Sequence, residues 1–312
     1  MAKKIKVGLL GSTGLVGQRL VEVLTEHPVF ELNTLFGRDD KHGKPYYDVV
    51  NWVCSSKLDK KMAEKRICSI DDENACKGIE LFFSALSAEA ADVIEPKLRT
   101  KGFGIVSNAR SFRMKKDVPL LVPEINANSI ELVAEQKKKY NGGFIATNPN
   151  CSAIGISLTL APIQKELGLE SLNIVTMQAI SGAGLKGLTM PEAKLNVIPN
   201  IANEEDKILE ELPKIFGTND IDIKVRVNRV NVVDGHTFVI WFKTKKQSSR
   251  KEMIELWKSY KPQCSVLPSI STAPVYKVYE GDDFMPQPKL DAWYMNGMGT
   301  AVGRLEEISN KE

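Results

Sequence analysis

Short apolar runs alternate with amphipathic stretches through the first half of the chain. Residues 5–10, Ile-Lys-Val-Gly-Leu-Leu, read as a buried strand, and Leu15 to Glu26 as a helix with Leu15, Val16, Leu20, Val23 and Leu24 at helical spacing. A glycine turn joins the two. Residues 30–37 predict a second strand, Leu81 to Leu86 a third, very apolar one, and Gly104 to Ser107 a fourth, with polar or helical sequence between them. This βαβ rhythm predicts an α/β fold of the Rossmann type, a doubly wound parallel sheet.

Near Asn148 the pattern changes. Ser152 to Leu167 predicts a buried helix, Ser171 to Ile180 a strand, and Asn203 to Phe216 an amphipathic helix; Val225 to Val233 and His236 to Lys243 are strongly strand-like. Long strands joined by an Asp234-Gly235 turn predict a mixed or antiparallel sheet in a separate α+β domain. The expected division is therefore residues 1–150 and 151–312.

Bulk properties narrow this picture. A length of 312 residues suits two domains, since single cores stop growing near ~250–300 residues. The chain is 43% hydrophobic and 26% charged, with no apolar run approaching the ~20 residues of a membrane helix. The basic start, Met1 to Lys6, passes straight into a strand without the apolar stretch of a secretory signal, which points to the cytoplasm. Net charge is +3, and Lys137-Lys138-Lys139 and Lys243, Lys245 and Lys246 lack the interleaved aromatics of a nucleic-acid surface. Five cysteines, at 54, 68, 76, 151 and 264, make neither a disulfide framework nor a metal-ligand spacing, so reduced thiols and no metal are expected.

Gly8-Leu-Leu-Gly11-Ser-Thr-Gly14-Leu-Val-Gly17 lies between the first strand and the first helix. Glycines there allow a sharp turn and let a pyrophosphate reach the free N–H groups and positive end of the helix, so Gly11, Ser12, Thr13, Gly14, Leu15 and Val16 are candidate dinucleotide-binding residues. Ser84-Ala85-Leu86, closing the third strand, joins them. Arg38, after the second strand, favours the 2′-phosphate of NADP over NAD; the neighbouring Asp39 and Asp40 keep a solvated turn open as the other reading.

Asn148-Pro149-Asn150-Cys151 opens the first helix of the second phase. A cysteine in a first helical turn gains thiolate character, and the N–H groups beside it can stabilise an oxyanion. Cys151 is thus the nucleophile candidate, with Cys54, Cys68, Cys76 and Cys264 read as small buried or surface residues. Of the three histidines, His236 heads an apolar strand and is either its base or a structural turn residue; His27 precedes a proline and His42 lies in a charged loop. Arg229 is a possible carboxylate clamp or an exposed strand residue. In a tight hairpin it would sit about 13 Å from His236, at about 3.3 Å per residue, so the loop would have to bend if both touch one substrate.

Together these segments resemble the aspartate-semialdehyde dehydrogenases, particularly their archaeal and fungal branch, over nearly the whole chain. The resemblance is carried by the glycine turn, Ser107-Asn108-Ala109, Val122-Pro123-Glu124, Asn148 to Cys151, Gln178-Ala-Ile-Ser181-Gly182-Ala-Gly184, Asn203 to Lys207, Asn228-Arg229-Val230 and Asp234-Gly235-His236-Thr237. It implies an NAD(P)-binding domain followed by a catalytic and dimerisation domain. It further implies Cys151 as the thioester-forming nucleophile, His236 as acid/base catalyst, Gln178 as substrate-orienting, and Arg229 as the α-carboxylate clamp. Glu204 and Lys207 match the positions near the amino and phosphate groups and share a helix face at i, i+3. Arg113 resembles the second phosphate position, Asn150 joins the substrate residues, and Ser181 and Gly182 join the cofactor residues.

The implied reaction is NADPH-dependent reductive dephosphorylation of L-aspartyl 4-phosphate to L-aspartate 4-semialdehyde, in lysine, methionine and threonine biosynthesis. Inorganic phosphate would be the co-substrate in reverse, and a homodimer or homotetramer is implied, with neither nucleic acid nor membrane as partner. Past Gly303-Arg304 the family continues into a strand and a helix bearing an asparagine and an arginine, without a counterpart here before Glu312. Two other readings stand beside this one: a malonyl-CoA reductase, and a catalytically silent NADP-binding or redox-sensing relative.

Overall fold

The computed structural model describes residues 3–264, 275–281 and 285–308. The residues from Ser309 on lie outside the described residues. The chain forms two compact units: residues 1–121 with 128–148, and residues 122–127 with 149–312.

In the first unit the order is β1 (Ile5–Leu10), α1 (Leu15–Thr25), β2 (Phe30–Phe36), β3 (Ile67–Cys68), β4 (Leu81–Ser84), α2 (Ala88–Thr100), β5 (Gly104–Ser107), α3 (Glu131–Lys139) and β6 (Phe144–Thr147), counting only helices of more than one or two turns. The strands form one sheet in the order β3-β2-β1-β4-β5-β6, all parallel. The order reverses between β1 and β4, where open parallel sheets bind ligands beyond their carboxyl ends. Successive β1 side chains alternate faces. Val7 and Leu9 pack with Val21, Leu24, Leu35 and Tyr46, while Leu10 packs with Phe36, Phe82, Ile105 and Ile145 on the other side. Gly8 leaves room for Phe36 and Phe82, whose rings would lie 2.9 Å or less from an added Cβ.

The second unit carries α4 (Cys151–Glu166), β7 (Leu169–Gln178), β8 (Val197–Pro199), α5 (Glu204–Phe216), β9 (Asp222–Val230), β10 (Thr237–Thr244), α6 (Arg250–Ser259), β11 (Tyr276–Val278) and β12 (Thr300–Val302). Its main sheet is mixed, in the order β10-β7-β9-β8. β7 is parallel to β9 and antiparallel to β10. The hairpin expected across Asp234-Gly235 is therefore not formed. The chain leaves β9 at Val230, three residues before the predicted end, and passes over the end of β7, whose central place separates the two strands. Val122–Ala127 also belongs to this unit: Asn126 Oδ1 accepts the Val122 N–H, and Asn126 Nδ2 donates to the Ile215 carbonyl at the end of α5.

α4 is apolar on almost every side, as a helix enclosed within a domain must be. Ile156, Leu160 and Ile163 are buried, and Gly155 admits the ring of Phe238 from β10, 2.7 Å from where a Cβ would stand. Pro162 interrupts the helix ladder, having no N–H for the Leu158 carbonyl. That carbonyl accepts the Tyr276 hydroxyl at 2.6 Å, and the next one, Thr159, accepts Trp257 Nε1 at 2.8 Å. Across the main sheet, Leu172, Ile174, Val225 and Val227 are buried, whereas Val239 and Trp241 of edge strand β10 remain 41% and 45% exposed.

Candidate active site

Cys151 owes its place to the residue before it. Asn150 (φ −56°, ψ 143°) is the N-cap of α4, and its Oδ1 accepts the N–H of Ser152 at 2.9 Å and of Ala153 at 3.4 Å. This turn leaves the thiol exposed at the positive end of a long helix, which favours thiolate over thiol. Asn150 is itself anchored from α5: its Nδ2 donates to Glu204 Oε2 at 2.9 Å, and its main-chain N–H donates to Glu211 Oε2.

The ends of three strands complete the cluster. Gln178 closes β7 and pairs in register with Arg229 of β9. His236 immediately precedes β10, whose Thr237 pairs with Met177. Placing β7 between them brings Arg229 and His236 to the same strand ends, so the separation expected along a hairpin disappears. His236 Nε2 lies 3.1 Å from Cys151 Sγ, and its Nδ1 accepts the Ala179 N–H at 3.0 Å. Burial, and then the guanidinium of Arg229, push the imidazole down to a pKa of about 4, against the smaller pull of Glu204 and Asp234. His236 is therefore neutral at physiological pH.

Glu204 ties the remaining groups together. Its Oε1 is paired with Lys207 Nζ, one turn along α5, and its Oε2 also accepts Gln178 Nε2 at 3.5 Å. Burial alone would raise the carboxyl, but the hydrogen bond and charge of Lys207, with Asn150 and Gln178, hold it below its ordinary value. Arg229 is 5% exposed and donates from Nη1 to the Ala179 carbonyl at 2.7 Å. Gly182, expected as a cofactor residue, lies against both: an added Cβ would stand 2.7 Å from Arg229 Nη1 and 3.3 Å from His236 Cε1. Ser181, beside it on the same short turn, donates its N–H to the Val233 carbonyl at 3.1 Å.

The other expected nucleotide residues and Arg113 lie in the first unit. Gly11 has φ +76°, and a Cβ there would stand 2.7 Å from the Ala85 carbonyl oxygen; one on Gly17 would stand 2.2 Å from the Gly11 oxygen. Only glycine closes this loop so tightly. Gly14 caps α1 without a side-chain hydrogen bond and no acidic residue occupies the first turn, so the helix end suits a pyrophosphate. Ser12 is buried and its carbonyl accepts the Tyr46 hydroxyl at 2.7 Å, while Leu15 and Val16 begin the helix. Ser84 closes β4, and the Ala85 N–H bonds to Leu10, keeping Ser84-Ala85-Leu86 beside the loop. Arg38 is largely exposed and pairs with Asp40 at 3.4 Å. Arg113 Nη2 donates to the Asn108 carbonyl at 2.7 Å. Among the described residues no group of His, Cys, Asp and Glu could hold a metal, and no helix is long and apolar enough to cross a membrane.

Residues 6–133 match the profile of the semialdehyde dehydrogenase NAD binding domain, and residues 160–312 that of the semialdehyde dehydrogenase dimerisation domain. The aspartate-semialdehyde dehydrogenase of Archaeoglobus fulgidus is 37% identical over 97% of this chain and 89% of its own length. The chain belongs to the semialdehyde dehydrogenase family. A crystal structure of aspartate semialdehyde dehydrogenase with NADP from Candida albicans superposes with a TM-score of 0.88 at 31% identity, covering 98% of this chain and 90% of that one. The malonyl CoA reductase (NADP) of Metallosphaera sedula is 30% identical over 99% of this chain and 90% of its own length. As a semialdehyde dehydrogenase the protein is an oxidoreductase, and its parallel nucleotide sheet followed by a mixed sheet is the fold expected from the sequence.

Three groups in this semialdehyde dehydrogenase escape the sequence reading. Glu211 lies on the buried face of α5 with Ile208, Leu212 and Ile215, and an acid among such neighbours is the signal that it has a buried partner. Lys41 donates to Thr13 Oγ1 at 3.1 Å, three residues past Arg38. Ala179 acts only through its main chain, which no side-chain pattern can announce.

Proposed function

We propose that the protein converts L-aspartyl 4-phosphate to L-aspartate 4-semialdehyde with NADPH, in the cytoplasm, as a step towards lysine, methionine and threonine. The observation carrying this reading is the Cys151 Sγ and His236 Nε2 pair at 3.1 Å, at a helix N-terminus and beside a buried arginine. A thiolate there attacks the acyl phosphate, expels phosphate and forms a thioester on Cys151. Bound NADPH would supply the hydride that reduces this thioester. Gly11 to Val16, Arg38 and Ser84 to Leu86 would hold the dinucleotide, and Ser181 and Gly182 are the further cofactor residues that the resemblance implies.

Arg229 would grip the α-carboxylate through its fork of donors. Glu204 would meet an α-amino group and keep Lys207 poised for phosphate, with Arg113 as the second phosphate residue. Gln178 and Asn150 orient the substrate and the nucleophile's helix. Reverse reaction would consume inorganic phosphate. The exposed Val239 and Trp241 face of β10 lies within the segment matching the dimerisation domain, which supports a homodimer; five cysteines with no disulfide among them suit a reducing compartment.

Purified protein should reduce NADP with L-aspartate semialdehyde only when phosphate is present, and faster than it reduces NAD. The relative from Metallosphaera sedula gives a second reading, tested by malonate semialdehyde with CoA. Turnover with that pair alone would replace the aspartyl substrate; turnover with neither, while NADPH still binds, would leave a silent nucleotide-binding relative.

A further inference from the structure

Glu95 is a buried acid without a counter-charge. It lies on α2, one turn after Asp92, and is 0% exposed. Its Oε1 accepts the Ser107 hydroxyl at 2.7 Å, and Ser107 Oγ accepts the Ala109 N–H at 3.1 Å, so the one proton of that hydroxyl is committed to Glu95. Ser84 on β4 is the register partner of Ser107 on β5 and projects from the same face of the sheet. It too is fully buried. Among the described residues neither Glu95 Oε2 nor Ser84 Oγ has a hydrogen-bond partner, and the charged group that acts on Glu95 is another acid, Asp92.

A carboxylate sealed from water and facing no cation is costly, and such a group takes up a proton instead. Burial raises the Glu95 carboxyl above the ordinary glutamate range; the hydroxyls of Ser107 and Ser84 offset this only in part, and Asp92 adds to it. With Oε1 already an acceptor, the proton belongs on Oε2, where it supplies the donor that Ser84 Oγ lacks. We infer that Glu95 is a positioning residue, a neutral carboxylic acid that joins Ser107 to Ser84 and fixes the turns leaving β4 and β5. This rests on the reading of Ser84 to Leu86 as cofactor residues and of Arg113 as a phosphate residue.

Both turns carry groups on which that reading depends. The Ser84 carbonyl accepts the Asn108 N–H at 2.9 Å, tying the turn after β5 to the end of β4. The Asn108 carbonyl in turn accepts Arg113 Nη2 at 2.7 Å, and Ser111 Oγ donates to the Ala88 carbonyl of α2 at 3.0 Å. Ala85, next to Ser84, closes on the glycine loop, its carbonyl oxygen 2.7 Å from where a Gly11 Cβ would stand. Neutrality matters as much as shape. A dinucleotide and an acyl phosphate are both anions, and a fixed negative charge beneath these turns would oppose them. A protonated acid provides the hydrogen bonds without the charge.

The protonation state is read by infrared spectroscopy at about pH 8, where an ordinary glutamate, with a pKa of about 4.3, is ionised. With glutamate isotopically labelled at the carboxyl carbon, wild type should show a protonated-carboxyl band that moves with the label and is missing from Glu95→Gln. Absence of that band from wild type overturns the proposal. Glu95→Ala should weaken NADPH binding, followed by cofactor fluorescence, and raise the phosphate KM, each by about five- to tenfold, with kcat and the semialdehyde KM far less affected. Glutamine keeps an acceptor for Ser107 and a donor for Ser84, so Glu95→Gln should recover most of that loss. A residue that merely supports the fold would lower kcat through the fraction of active protein and leave both constants unchanged; that pattern, or glutamine as poor as alanine, overturns the proposal. If Glu95→Ala does not fold, the infrared band and the NADPH affinity of Glu95→Gln still decide. Absent turnover in wild type would refute the proposed function separately, since neither of those two measurements requires it.

Discussion

Gly182→Ala should damage catalysis while sparing the fold. Gly182 is not among the glycines with positive φ, so the backbone accepts a side chain, but the new Cβ would stand 2.7 Å from Arg229 Nη1. Contact at about 3.5 Å requires the guanidinium to retreat by roughly 0.8 Å. The retreat strains the 2.7 Å hydrogen bond from Nη1 to Ala179. The displaced guanidinium should also lose a charged hydrogen bond to the substrate carboxylate, about 1.5–3 kcal/mol, which at about 1.4 kcal/mol per tenfold is roughly a 10- to 150-fold loss in kcat/KM. What moves is the tip of a flexible side chain, so the fold should survive, with a cost to stability within the about 1.5–3 kcal/mol of the one strained hydrogen bond. The assay is initial-rate kinetics with L-aspartate semialdehyde, phosphate and NADP each varied, beside a urea titration. The semialdehyde KM should rise with the NADP KM unchanged. A kcat/KM within about twofold of wild type would refute the clamp geometry, and a rise confined to the NADP KM would make Gly182 a cofactor residue only.

Cys151→Ala should abolish turnover while NADPH binding, followed by cofactor fluorescence, stays near the wild-type value; wild-type activity would end the thioester mechanism. Glu211→Ala leaves the Asn150 N–H without this acceptor and should cost about 1–3 kcal/mol in urea unfolding together with a fall in kcat; an unchanged kcat would separate Glu211 from the nucleophile's position. His236 titrates at about 4 in the folded protein against 6.5 for an ordinary imidazole, so the unfolded chain takes up the proton first. Its contribution is fully present above about pH 6.5 and is lost as pH falls towards about 4. Urea midpoints across that window should fall less steeply in His236→Asn than in wild type, and parallel slopes would contradict the shift.

The first unit was legible because each of its main strands is short, apolar and followed by helix or turn. β1 and α1 begin where their patterns begin, and the glycine loop identifies itself by its place between them. β3 and β6 escaped: Ile67-Cys68 is too short for a periodic signal, and Phe144–Thr147 carries only one alternation after a glycine pair. In the second unit the three long strands were readable but their partners were not, and the three-residue strands β8, β11 and β12 went unread. Asp234-Gly235 has the composition of a hairpin turn, yet the pairing that decides the sheet, β7 between β9 and β10, joins residues far apart in sequence. The consequence for the site was large, since it alone explains how Arg229 and His236 come together. Cys151 and His236 could be singled out by their chemistry, whereas Ala179 contributes only an N–H and a carbonyl that every residue possesses.

Pro162 and Tyr276 constrain how this sequence can change over time. The proline leaves the Leu158 carbonyl without its helical donor, and the tyrosine hydroxyl supplies the substitute. Loss of the hydroxyl first strands a carbonyl inside the protein, whereas replacing the proline first restores the helix's own donor and makes the hydroxyl dispensable. The order of substitution is therefore not free. Lineages should pass through a non-proline residue at position 162 before phenylalanine settles at 276, and related sequences should hold the proline and tyrosine together or have lost the proline.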